Sequence, residues 1–200
     1  PYLMAAPKNI TTIPHGIEKR FFNKPRKTDI NKHNTFKLLY VSTIDMYKHQ
    51  WHVAEAISQL RERGVSVTID FVGGFYKPAK SRLLKIIRAL DPDNSFLNYK
   101  GVVPFLELHN VYVQADAFVF ASSCENLPNI LIEAMASGLP IVCSSRGPMP
   151  EVLQECGLYF DPENSQDIAK KILKLIESPA IMNKISNCAF TRSKQYSWEH

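Results

Sequence analysis

From residue 37 onward the chain alternates two patterns: short, wholly apolar runs, and longer stretches in which apolar residues recur every three or four positions. The first predicts strands covered on both faces, and the second predicts helices with one apolar stripe. Strands are expected at residues 37–42, 65–72, 95–99, 117–121, 141–143 and 158–160. Helices are expected at 50–63, 79–90, 104–115, 128–137, 150–155, 165–177 and 179–196. Gly64 and Gly138 stand where two of these helices run out, the usual place for a glycine stop. Regular alternation of strand and helix predicts an α/β fold built on a doubly wound parallel sheet, Rossmann-like. Such sheets bind ligands beyond the carboxyl ends of their strands. The loops to inspect therefore hold Lys48, Gly73-Gly74, residues 101–104, 122–129 and 144–149.

The N-terminal part reads differently. Residues 10–13 read as a single strand, and residues 18–36 are polar and basic with no clean period. We divide the chain into a connection and basic loop at 1–36, a Rossmann-like domain at 37–178 and a C-terminal helix at 179–200. Two hundred residues can bury a sizeable core without disulfides. The four cysteines, Cys124, Cys143, Cys156 and Cys188, form no C-x-x-C pair and no zinc-type cluster. They are expected to be reduced thiols in or near the core.

Composition and charge narrow the class. The chain is 45% apolar and 22% charged, ordinary for a soluble domain, and no apolar run approaches the ~20 residues that span a bilayer. Residues 1–7 lack the apolar core of a signal peptide, so the expected location is cytoplasmic. Net charge is +5, much of it from Lys19, Arg20, Lys24, Arg26, Lys27 and Lys32. That cluster reads as a solvated segment or as a weak peripheral contact with the anionic inner membrane face. It has no recognition helix or stacking module, so no nucleic-acid partner is expected.

The chemistry concentrates in residues 122–140. Pro128 suits a first helical position, Asn126 suits a cap or turn, and the amides near Leu127, Asn129 and Ile130 would then point outward as a phosphate cradle. Glu133, further into the helix, leans back toward that cradle. Glu125 stands on the loop at the other side. Two carboxylates flanking an anion site would repel a free diphosphate, but they suit a diphosphate held between two hydroxyl-rich groups, as in a nucleotide sugar. Lys48, after the first strand, faces the same edge and supplies the neutralising cation. The backbone at residues 101–103, Val103 included, can offer groups to a base edge. No G-x-G-x-x-G follows the first strand, which argues against a dinucleotide-dependent dehydrogenase.

The pair Glu125-x7-Glu133, with the surrounding block at 115–160, resembles the C-terminal domain of retaining glycosyltransferases of family 4, GT-B fold. The likeness runs from Pro14-His15-Gly16 to Trp198-Glu199, and is nearest to bacterial enzymes of lipopolysaccharide or capsular glycan synthesis. It implies catalytic roles for Glu125 and Lys48, with Glu125 on donor-sugar hydroxyls and Lys48 on the diphosphate. It implies donor binding by Glu133 (ribose), Asn126, Leu127, Pro128 and Asn129 (phosphates) and the Val103 backbone (base). No metal and no cofactor beyond the donor substrate are expected. The acceptor, a glycan or a lipid-linked sugar, would be bound by an N-terminal domain that this sequence lacks, so little transfer is expected from this piece alone. Two positions depart from the family: no arginine stands at Ser42 or Thr43, and His49 replaces the glycine that usually follows the lysine. The diphosphate would then rest on Lys48, helix amides and Arg146 or His49. Two rival readings remain, a non-catalytic nucleotide-binding module and a GT-B-like nucleotide-sugar epimerase.

Overall fold

The computed structural model describes residues 15–25 and 35–198. The strand expected at 10–13 and the basic residues Arg26, Lys27 and Lys32 lie outside the described residues. Six strands form one sheet: β1 (Phe36–Val41), β2 (Val67–Val72), β3 (Leu97–Gly101), β4 (Ala117–Phe120), β5 (Ile141–Ser144) and β6 (Leu158–Phe160). Their order is β3-β2-β1-β4-β5-β6 and every pairing is parallel. Among the described residues, seven helices connect and close the sheet: α1 (Gln50–Glu62), α2 (Lys77–Leu90), α3 (Phe105–Val113), α4 (Asn129–Ala136), α5 (Met149–Leu153), α6 (Ser165–Ile176) and α7 (Pro179–Ser193). The doubly wound parallel architecture expected from the alternation is therefore the one observed.

Every residue of β4 and β5 is buried, as strands flanked by neighbours and covered on both faces must be. The edge strands β3 and β6 are half-exposed. The strand order reverses between β1 and β4, which brings the β1–α1 and β4–α4 loops together at the carboxyl edge. α1 packs against α2 and α6, and α4 packs against α7.

Boundaries moved where side chains captured backbone groups. β3 starts two residues later than expected, because the Asp91 carboxylate accepts from the amides of Ser95, Phe96 and Leu97 and holds them in a turn. The last helix ends at Ser193 and tightens into a 3₁₀ turn, Lys194–Tyr196. The polar stretch before β1 contains a 3₁₀ turn, Lys19–Phe21, whose Phe21 is fully buried against the rings of Phe105, His109 and Tyr112. Asn23 then donates its amide to Ala136 O at 3.0 Å, beside Gly138, where an added Cβ would lie 2.6 Å from Asn23 O. The two described ends also meet. Ile17 bridges to Ser197, its amide donating to Tyr196 O at 2.6 Å, and the Trp198 ring lies so close to Gly16 that a Cβ there would sit 2.3 Å from it.

The cysteines correct the expectation of four free thiols. Cys156 and Cys188 form a disulfide joining the segment after α5 to α7, while Cys124 is free and exposed and Cys143 is free and buried. Sequence spacing could not show this pair, since 32 residues separate its members and only the packing of α7 brings them together. Closing a loop of that length stabilises the fold by about 3–4 kcal/mol in the chain-entropy view. Urea unfolding with and without dithiothreitol should show a loss of that order. Cys188→Ser should match the reduced protein and show no further response to reductant.

Candidate functional site

Lys48 ends a 3₁₀ turn, Met46–Lys48, that follows β1 and is capped by the Asp45 carboxylate, which accepts from the Met46 amide. Its side chain is buried, with the ammonium 5.0 Å from the Tyr47 ring centre and 5.3 Å from that of Phe120. That ammonium forms an ion pair with the Glu125 carboxylate. Two residues 77 positions apart thus meet at the point where the strand order reverses. A buried pair costs desolvation on both partners, and stripping one of them leaves an uncompensated charge.

Three further contacts tie the loops together. The Ser123 amide donates to Tyr47 O at 2.8 Å. His49 Nε2 lies 2.8 Å from Ser123 Oγ. Beneath them, the Tyr40 hydroxyl accepts from the Ala121 amide at 3.1 Å and donates to Lys48 O. Burial, the largest influence, pushes the Tyr40 phenol well above its ordinary range, so it stays a neutral donor. Tyr40 escaped the sequence reading because a tyrosine in an apolar strand looks like core. A polar tip one residue short of a strand's carboxyl end is the signal that marks it.

Glu133 lies in the second turn of α4 and is buried. Its Oε2 accepts from the Tyr112 hydroxyl at 2.9 Å. Burial pushes its carboxyl up to about 7, the Tyr112 hydrogen bond works against that shift, and Glu18 adds to it. One oxygen of the carboxylate expected to reach back along the helix is thus committed to Tyr112.

The start of α4 requires two corrections. Pro128 is the cap residue and not the first helical position: its carbonyl accepts from the amides of Leu131 at 2.9 Å and Ile132 at 3.2 Å. Asn126 is therefore not the cap, and it is exposed on the loop. The Asn129 amide turns back onto Leu127 O at 3.0 Å and is not free to hold a phosphate. Arg146, one of the two alternatives offered as a further diphosphate support, pairs with Asp161 and Glu163, which hold its guanidinium even further into the charged range. Val103 lies half-buried in the β3–α3 loop beside the exposed Val102. The structure thus brings Lys48, Glu125 and the residues at 126–129 to one loop pair, while Glu133 stands further along α4.

The pH response of Glu133 has a definite sign. In the folded chain its carboxyl keeps, up to about pH 7, a proton that the unfolded chain loses near pH 4.5. Stability from this group is present below that window and lost as pH rises through it. Glu133→Gln removes the cost of the buried charge and can still accept from Tyr112. We expect the variant to exceed the parent by roughly 1–3 kcal/mol at pH 8 and to match it near pH 4.5, read by urea unfolding. Equal stability of the two proteins at pH 8 would show the carboxylate to be better solvated than its burial indicates.

Residues 22–192 match the family described as glycosyl transferases group 1. The chain is 32% identical over 105 residues to the O-antigen chain mannosyltransferase B of Escherichia coli, covering 52% of this chain and 28% of that protein. It is 24% identical over 200 residues to the MMP alpha-(1->4)-mannosyltransferase of Mycolicibacterium hassiacum, covering 97% of this chain and 46% of that one. The chain spans less than half the length of both relatives. Its fold superposes, over 91% of this chain and 51% of the other, on Anabaena Alr3699/HepE solved with UDP and glucose, with a TM-score of 0.78 and 22% identity. It also matches the whole C-terminal domain of LpcC, a glycosyl transferase group 1 protein of Francisella tularensis, over 92% of this chain with a TM-score of 0.75 and 21% identity. With residues 22–192 covered by one family, the chain belongs to the glycosyl transferases group 1 family.

Proposed function

We propose that this chain is the donor-binding half of a retaining glycosyltransferase, taking a sugar from a nucleotide diphosphate sugar to a glycan or lipid-linked acceptor. The observation that carries the reading is the part-buried Lys48–Glu125 pair at the strand-order reversal, with Glu133 on the helix beyond it. A diphosphate docking there competes with Glu125 for Lys48. The lysine passes to the phosphates, and Glu125 is released to accept from donor-sugar hydroxyls. The free oxygen of Glu133 accepts from the ribose, and the backbone at Val103 meets the base. Of the residues assigned to the phosphates, Asn126 and Leu127 serve through the loop, Pro128 fixes the helix start, and the Ile130 amide takes the place expected of Asn129. No metal enters this scheme.

As the C1–O bond to the diphosphate breaks, negative charge grows on the leaving oxygen. Lys48 and the nearby helix start stabilise that charge more in the transition state than in the ground state. Residues 37–178 form the donor-binding unit, closed by the C-terminal helix, Pro179–Ser193. The acceptor site belongs to the part of the longer relatives that this chain does not cover, so the chain alone transfers little. Similarity to an O-antigen chain mannosyltransferase supports a place in surface-polysaccharide synthesis, and the proposal sets the enzyme at the inner membrane face. Among the described residues no helix is long and apolar enough to cross a membrane, so that contact would be peripheral.

Calorimetric titration of the chain with UDP-, GDP- and ADP-sugars tests donor binding directly. In the full-length enzyme, Lys48→Ala and Glu125→Ala should each lower transfer at least a hundredfold, about 3 kcal/mol of barrier. Glu133→Ala should mainly weaken nucleotide binding, about tenfold. Wild-type turnover in all three variants would reject the assignment. The absence of an arginine at Ser42 or Thr43 is the one feature that leans slightly toward a pure binding module. That alternative predicts donor binding without transfer when acceptor is supplied, whereas an epimerase would convert donor with no acceptor present.

A further inference from the structure

His49 occupies the left-handed region, φ 51°, at the start of α1. It is 7% exposed, and its two ring nitrogens are treated differently. Nε2 lies 2.8 Å from Ser123 Oγ, whereas Nδ1 is buried with no partner. Ser123 Oγ also lies 3.3 Å from Tyr47 O, to which its hydroxyl donates. Its lone pairs are then left to accept from His49, which places the imidazole proton on Nε2 and a bare lone pair on Nδ1. Being bonded to the ring carbon next to Cβ, Nδ1 is the nitrogen nearer the backbone at the α1 start.

The surroundings favour an anion. The first turn of α1 carries no acidic side chain to answer the helix dipole. Lys48 precedes His49, His52 stacks on it at 5.6 Å, and Arg82 from α2 and Arg146 from the β5–α5 loop both act on it electrostatically. From the β6–α6 loop, the Glu163 carboxylate favours the imidazolium, and it is already paired with Arg146. Burial, followed by His52, holds His49 below its ordinary range, so the ring is neutral at pH 7.

We infer, resting on the nucleotide-sugar reading above, that His49 is a further donor-binding residue, whose Nδ1 takes a proton from solvent as the diphosphate docks at the start of α1 and then donates to a phosphate oxygen. Lys48 and His49 would thus supply two adjacent cations where Ser42 and Thr43 supply none. The added proton is bound only in the complex, so donor affinity is linked to pH. Between the His49 pKa of the free chain and its raised value in the complex, affinity falls as pH rises, by up to about tenfold per unit.

The test titrates this chain with UDP-glucose, GDP-mannose and ADP-glucose, whose diphosphates are diesters with no proton to lose near neutrality. Heats are measured at pH 6, 7 and 8 in buffers of different ionisation enthalpy. Two variants serve as references, His49→Asn and His49→Gly, because both residues accept a left-handed backbone and neither titrates. Glu133 titrates alike in all three proteins, so the difference between parent and variants isolates His49. We expect the parent to take up close to one proton more per donor bound than either variant at pH 7–8. Its affinity advantage over them should shrink at least fivefold from pH 6 to pH 8. Donor binding with equal proton counts and parallel pH profiles in parent and variants overturns the role of His49 while leaving the donor site intact. Failure of the parent to bind any of the three donors overturns the donor-site reading and this inference together.

Discussion

One buried hydroxyl holds the working edge of this molecule together. Tyr40 stands near the end of β1, the strand at which the sheet reverses its order, and it bridges the end of β4 to the carbonyl of Lys48. Parallel strands place their carboxyl ends side by side but do not dictate what the loops beyond them do. Here the hydroxyl satisfies a donor on one loop and an acceptor on the other, both in a region where an unpaired group would be costly. The contacts above it, Ser123 to Tyr47 and His49 to Ser123, share that alignment. So does the Lys48–Glu125 pair, which needs two backbones fixed relative to each other before two charges can be buried between them.

The architecture was legible in the sequence because burial on both faces leaves an unbroken apolar run, as at β4 and β5, and because amphipathic stretches of helical period separate such runs. Lys48, Glu125 and Glu133 could be named because the fold sends particular loops to one edge. The contacts they make could not. Nothing in the local pattern said that Lys48 and Glu125 touch each other and do not stand apart across a ligand, or that Tyr112 would occupy one oxygen of Glu133. Both depend on side-chain reach across distant segments.

The misses share a cause. Pro128 carries a preference for the first helical turn, yet the loop delivers its carbonyl to the cap position, and the Asn129 amide is drawn back to Leu127. Phe21 looked like part of a solvated basic stretch, but one aromatic ring is enough to dock such a segment when three other rings wait for it. Arg146 looked available until Asp161 and Glu163 were placed beside it. In each case a tertiary partner outweighed a local tendency.

The meeting of Ile17 with Ser197, and of Trp198 with Gly16, has a mechanical consequence. Both ends of the described chain leave from one corner, on the same backbone bridge. A pull on either end is borne by that bridge and by an indole stacked on a residue with no side chain, before any strand of the sheet is loaded. The corner therefore acts as a clasp that ties the two described ends to each other outside the sheet.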